Sequence, residues 1–271
     1  MSIQTTASRI NIPALRKMKQ DKQPIVALTA YDYSFAHLLD QSGVDIILVG
    51  DSLGMVIQGH QTTIPVSIED MLYHTSIVSR GVERALVVMD MPFMSYSSIE
   101  RALDNAADAL QTAGAHMVKL EGGLDQLHIV EALASQEIPV CAHIGLKPQS
   151  VYKSGAYKVQ GRGAQAAVQM IEEAAALEKA GADILLLECV PKVLAAEITA
   201  NTEIPVIGIG AGNACDGQIL VLHDLLGITP GKPPSFTKNF MQDSPHIQAA
   251  IRAYAEDVRS RKFPADEHSF S

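Results

Sequence analysis

Short apolar runs alternate with longer amphipathic stretches along almost the whole chain, and that alternation limits what it can fold into. Eight runs read as strands: 25–30, 45–50, 86–90, 116–121, 139–144, 183–188, 205–209 and about 218–222, the last bounded by polar Gln218 and His223. They are rich in Val, Ile and Leu without polar alternation, as expected of parallel strands covered on both faces. Helix-like stretches lie between them at 33–42, 67–82, 97–113, 124–136, 163–181 and 191–201. Several helices end on the same device: Ser42-Gly43, Ala113-Gly114 and Ala180-Gly181 each precede a strand. Glycine after the last helical turn accepts a left-handed conformation that a Cβ resists. Pro139 and Pro205 open two further strands, where a missing N–H is tolerated.

Strands and helices in this order, with no Pro/Gly/Ser linker, predict a single (β/α)8 barrel over 1–271, carrying helical additions at both ends. A doubly wound open sheet is the alternative, and the lack of GxGxxG after the first strand counts against it. The C-terminal addition is placed at 235–262. One connection, 145–163, is far longer than the roughly 2–6 residues usual for a βα loop. It follows a strand end and is a lid candidate, with Tyr152 and Tyr157 as its packing residues.

The net charge of −9 argues against nucleic acid or an anionic membrane as partner. No apolar run approaches the ~20 residues of a spanning helix. Met1–Thr6 has neither the charged nor the apolar region of a secretory leader. The cluster Arg16-Lys17-Met18-Lys19 reads as a solvated helix end. Three cysteines, none in a CxxC pair, suit a reducing cytoplasm and give no support to zinc. Cys189 follows an acid and can be read as a nucleophile, but a small buried apolar side chain accounts for it more simply.

Four apolar runs step directly into a carboxylate: Asp51, Asp90, Glu121 and Glu188. Such a step is costly unless the carboxylate finds a partner or water. In a barrel, all four stand at the C-terminal strand ends, where active sites lie. Asp51, Asp90 and Glu121 come from neighbouring strands about 4.8 Å apart, close enough to share one ion. Oxygen ligands without cysteine or paired histidine favour Mg²⁺. Glu188 stands across the mouth in an apolar setting, where a raised pKa makes a general base. Lys119 shares the strand face of Glu121, and pairing the carboxylates, stabilising an enolate oxygen and forming a Schiff base all remain open to it. His143 is either a substrate contact or a satisfied core histidine; Ser52 is either a carboxylate-binding hydroxyl or a turn cap. The glycines of Gly208-Ile209-Gly210-Ala211-Gly212 suit a phosphate loop or a tight turn equally well. A divalent ion opposed by a base suits proton abstraction beside the carbonyl of a 2-oxo acid, followed by attack on an electrophile that spacing does not name.

Several stretches together resemble the ketopantoate hydroxymethyltransferase family: Leu28-Thr29-Ala30-Tyr31-Asp32, Gly50-Asp51-Ser52-Leu53-Gly54, Asp90-Met91-Pro92-Phe93, Lys119-Leu120-Glu121-Gly122-Gly123, His143-Ile144-Gly145-Leu146, Tyr157-Lys158-Val159-Gln160-Gly161-Arg162 and Leu187-Glu188-Cys189-Val190-Pro191. The resemblance implies a Mg²⁺-dependent barrel of pantothenate synthesis, moving a hydroxymethyl group from 5,10-methylenetetrahydrofolate to 3-methyl-2-oxobutanoate. It implies metal contacts at Asp51, Asp90 and Glu121, substrate contacts at Asp51, Ser52, Asp90, Lys119 and His143, and Glu188 as base. It also implies a homo-oligomer, up to a decamer. Lys147 departs from the Thr usual before Pro148-Gln149-Ser150. A Mg²⁺-dependent lyase or mutase of the isocitrate-lyase type is the competing enzyme class, but the lid cysteine motif it requires is not found. A non-catalytic assembly subunit fits poorly with Glu188 and Lys119 both in place.

Overall fold

The computed structural model describes residues 9–271; Met1–Thr6, read above for a leader, lie outside them. The order is α1 (Ile12–Gln20), β1 (Ile25–Thr29), α2 (Tyr33–Gln41), β2 (Ile46–Val49), α3 (Leu53–Val56), α4 (Ile68–Arg80), β3 (Leu86–Asp90), α5 (Ile99–Gln111), β4 (Met117–Glu121), α6 (Leu127–Ser135), β5 (Val140–Gly145), α7 (Val151–Ser154), α8 (Ala164–Lys179), β6 (Ile184–Glu188), α9 (Lys192–Asn201), β7 (Val206–Ile209), β8 (Gly217–Leu220), α10 (Leu222–Leu226) and α11 (Ile247–Arg259). All eight strands are parallel and close in chain order, with β1 paired to both β2 and β8. The β1–β8 ladder, Ile25↔Gly217 to Leu28↔Leu220, rules out the open doubly wound sheet.

Strand residues are buried almost without exception, which explains their unbroken apolar sequence. The glycines expected at helix ends take left-handed backbone: φ is +82° at Gly43, +77° at Gly114 and +103° at Gly181. Helix starts use side-chain caps: Asn11, Asp32 and Ser98 each accept from a backbone N–H one turn in, and Ser67 forms a reciprocal capping box with Asp70.

Most boundaries fall within two residues of the sequence reading, and two of the differences have a clear physical cause. The last strand runs over Gly217–Leu220 rather than 218–222, because Leu222 N–H donates to Thr29 Oγ1 and opens α10. The strand opens on a glycine because the chain there lies tight against β1: a Cβ at Gly217 would meet Ile25 O at 2.5 Å. The C-terminal addition is helical only from Ile247; Pro245 disfavours helix in the residue before it, and His246 caps α11. The Tyr254 hydroxyl of α11 lies 3.0 Å from both Ala27 O and Gln218 O, so this helix pins the seam where the barrel closes. Phe240, Tyr254 and Phe263 pack edge to face around it.

The basic cluster on α1 is only partly solvated. Lys17 is exposed and pairs with Asp21, whereas Lys19 is largely covered and reaches Asp216 Oδ2 at 2.7 Å and Thr199 O at 3.0 Å. No helix among the described residues is long and apolar enough to cross a membrane.

Candidate active site

Strand register brings the four acids to one end of the barrel. Asp90 and Glu121 are the last residues of β3 and β4, and Glu188 is the last of β6. Asp51 lies just beyond β2. Lys119 pairs in register with Asp90, and Glu121 with His143. Because eight strands close in order, β6 lies opposite β2, so Glu188 faces Asp51 across the mouth. Asp51, Asp90, Lys119, Glu121 and His143 are each no more than 5% exposed, whereas the Glu188 side chain is 16% exposed.

This cluster holds more negative than positive charge. Lys119 Nζ donates to both oxygens of Asp90, at 2.7 and 2.8 Å, and lies 3.9 Å from Glu121 Oε1. Burial opposes its charge, but Asp90, Glu121 and Asp51 together lift its pKa above the ordinary lysine value. An ammonium held this way is no Schiff-base nucleophile, which narrows the sequence alternatives to charge pairing and substrate contact. Burial and then the Asp90 charge push the Asp51 carboxyl up to about 7. Burial likewise lifts Glu121 well above the carboxylate range. Glu121 Oε1 is buried without a hydrogen-bond partner.

Glu188 is pushed up to about 7, chiefly by burial. His143 Nε2 approaches its Oε2 at 3.3 Å, and His143 Nδ1 lies 3.7 Å from Glu121 Oε1. Neither approach is an ion pair, because burial holds the imidazole neutral, its pKa well below the usual histidine value. Both ring nitrogens lack a well-aligned partner, so His143 is not a satisfied core histidine. Cys189 beside Glu188 is buried, and burial followed by the Glu188 charge raises its thiol pKa, which removes it as a nucleophile.

Ser52 makes no cap bond to α3; its Oγ instead lies 2.9 Å from Tyr31 OH. A Cβ on Gly50 would stand 2.8 Å from that Oγ, so glycine before Asp51 leaves room for the hydroxyl. The strand-7 glycines form a turn packed on other side chains: a Cβ at Gly210 would meet the Phe236 ring at 3.0 Å, and one at Gly212 would meet Lys192 Cβ at 2.6 Å.

Three polar residues were not anticipated by sequence reasoning. Gln149, on the 3-10 turn Pro148–Ser150, donates through Nε2 to Asp51 Oδ2 and Met91 O, both at 2.9 Å. Its backbone N–H donates to Glu121 Oε2 at 3.1 Å. Tyr96 OH donates to Gln149 Oε1 at 2.6 Å. Tyr31 holds Ser52 as described. All three lie in loops that leave strand ends, and polar residues of such loops were the available signal. The long loop is docked through Gln149 and not through the two tyrosines expected to pack it, for Tyr152 is 78% and Tyr157 48% exposed.

The residues fit a divalent cation in a particular way. Buried carboxylates at Asp51 and Asp90 repel, and Glu121 Oε1 is orphaned, with one lysine to balance them. Among the described residues no group of three or more His, Cys, Asp or Glu side chains is arranged to hold an ion alone. Two aspartates completed by water or substrate oxygens suit Mg²⁺, which keeps several small ligands.

Comparison with known proteins follows the same line. The sequence model of the family described as ketopantoate hydroxymethyltransferase matches residues 9–266. The chain is 57% identical over 265 residues to the 3-methyl-2-oxobutanoate hydroxymethyltransferase of Alkalilimnicola ehrlichii, covering 98% of this chain and 96% of that one. It is 56% identical over 261 residues to the protein of the same name from Marinobacter nauticus, covering 96% and 98%. Among solved structures, phosphonopyruvate hydrolase in complex with oxalate and Mg²⁺ superposes with a TM-score of 0.60 at 14% identity, covering 94% of this chain and 98% of that one. A 2,3-dimethylmalate lyase of the PEP mutase/isocitrate lyase superfamily gives 0.59 at 14%, covering 94% and 98%. At that identity the likeness is one of fold.

Proposed function

The chain belongs to the ketopantoate hydroxymethyltransferase family, and from that premise we infer how its barrel mouth places a hydroxymethyl group on 3-methyl-2-oxobutanoate. The observation that carries the reading is Glu188: a base-competent carboxylate, raised to about 7, standing opposite the Asp51–Asp90 pair. Asp51 and Asp90 would hold a Mg²⁺ ion, with Glu121 beside it. When bound, that ion supplies Lewis-acid polarisation of the substrate's 2-oxo group.

The chain's own side chains do the rest. Ser52 Oγ, 2.9 Å from Tyr31 OH, would donate to the substrate carboxylate with its partner hydroxyl donating to it. Lys119 adds a fixed positive charge where negative charge develops on the substrate oxygen. Glu188 takes the C3 proton; the C–H pair forms the C2=C3 bond while the carbonyl π pair moves onto the 2-oxo oxygen. As that pair returns, C3 bonds to the methylene carbon of the donor and one C–N bond breaks; water then supplies the hydroxyl oxygen as the second C–N bond breaks, and tetrahydrofolate leaves with a proton on each nitrogen. Neutral His143, 3.3 Å from Glu188, adds no positive charge that would depress the basicity of that carboxylate. Methylenetetrahydrofolate is the donor in this reading and enters from the loops around the mouth. The chain would work as a homo-oligomer, which sedimentation would show as a multiple of 29.1 kDa.

Deuterium exchange at C3 of the 2-oxo acid, followed by NMR in D₂O with and without tetrahydrofolate, tests the reading. E188Q should bind the acid and stop exchange; exchange at the wild-type rate removes Glu188 from the base role.

A further inference from the structure

Gln149 stands at the crossing of three strand ends and one long loop. Its amide orientation is settled by Met91 O, a carbonyl that can only accept: Nε2 must face it, and with it Asp51 Oδ2, which leaves Oε1 facing the Tyr96 hydroxyl. Both amide hydrogens are then used, and the carbonyl accepts the shorter bond. The backbone N–H of the same residue takes up Glu121 Oε2. Gln149 is 6% exposed and Tyr96 8% exposed, so water competes poorly for these bonds.

We propose that Gln149 is a positioning residue that sets the affinity of the Asp51–Asp90 site for its cation, by fixing which oxygen of Asp51 and which oxygen of Glu121 are presented. The inference rests on the cation reading of those aspartates given above. With Oδ2 of Asp51 engaged by a neutral donor, Oδ1 is the oxygen left for an ion, and the carboxylate cannot rotate both oxygens away. With Oε2 of Glu121 engaged, the orphaned Oε1 is the remaining acceptor. The donors are amides rather than cations, so they orient both carboxylates without neutralising them, and the charge that attracts a divalent ion is kept. Partners of this kind typically change metal affinity by about 10- to 100-fold when removed. The Tyr96 hydroxyl acts one step further back, by holding the amide's carbonyl.

The test is calorimetric titration of the substrate-free protein with Mg²⁺, for wild type, D90N, Q149L and Y96F. Leucine keeps the approximate volume and removes the side-chain bonds, while the backbone bond to Glu121 survives. Q149L should weaken Mg²⁺ by about 10-fold or more, and Y96F by a smaller factor, since both amide donors remain. KM for the 2-oxo acid measured at limiting Mg²⁺ should rise in Q149L and return toward wild type at saturating Mg²⁺, which a merely damaged fold would not do. Mg²⁺ affinity within twofold of wild type in Q149L overturns the inference alone. A wild type that takes up no Mg²⁺, or a D90N that binds it unchanged, overturns the cation reading and this inference with it. If Q149L does not fold, Y96F decides: wild-type affinity there counts against the proposal, and a measurable loss supports it.

Discussion

A carboxylate acquires its role here from what covers it. Asp90 and Glu188 both end strands, yet Asp90 is chelated by Lys119 while Glu188 meets only a neutral imidazole and keeps some exposure. The raised pKa of Glu188 sets a pH dependence. In the proposed role of base, Glu188 works only when deprotonated, so a pKa pushed up to about 7 predicts that kcat/KM falls tenfold per pH unit below about 7 and levels off above it. An unperturbed glutamate would place that break near 4.3. A flat profile from pH 5 to 8 would contradict the assignment. E188Q should cost about 10²- to 10⁴-fold in kcat with folding intact. K119M leaves Asp90 buried and unpaired, which should lower stability by about 3–5 kcal/mol in a denaturant titration. The identities of these residues were legible in the sequence because apolar runs ending in acids are rare and costly. Gln149 was not, because an amide in a Pro-Gln-Ser turn gives no sign of what it will touch.

At the level of elements, helix ends and strand exits place the chemistry. Gly145 closes β5 with φ +95°, and a Cβ there would run into the Glu188 carbonyl, which accepts from Leu146 N–H at 2.8 Å. The glycine thus lets the end of β5 run against the backbone of Glu188, its register partner on β6. G145A should destabilise the fold by about 1–3 kcal/mol and lower kcat as well, because the backbone it displaces carries Glu188. S67A is the contrast: it removes the capping box of α4 and should cost about 1 kcal/mol, with kcat unchanged. If S67A slows turnover as much as G145A, the link between β5 and the base is not what G145A reports. Strand positions were read to within two residues from hydrophobic pattern alone. The short helices α3, α7 and α10 were not read, and the last strand and the C-terminal helix were misplaced, where a long-range bond from Leu222 to Thr29 and the cap at His246 decide the boundaries.

For the molecule as a whole, closing eight strands in order turns residues more than 130 positions apart into two sides of one mouth. Binding to the folded state alone stabilises it by about 2.7 kcal/mol at a hundredfold excess over Kd. Adding Mg²⁺ to chelator-treated protein should therefore raise Tm, and the rise should disappear in D51N; an equal rise in D51N would place the ion elsewhere. The sequence by itself determined the barrel, since non-alternating apolar runs spaced by capped helices have few other ways to cover both faces of their strands. It also determined the acids and the family, which rest on residue identities in order. Only the tertiary structure decided who touches whom: that Lys119 is locked to Asp90, that Ser52 belongs to Tyr31 and not to a helix cap, and that the long loop reaches back through Gln149 to Asp51. Those pairings depend on side-chain reach across strands and loops distant in the chain, and no local pattern encodes such distances.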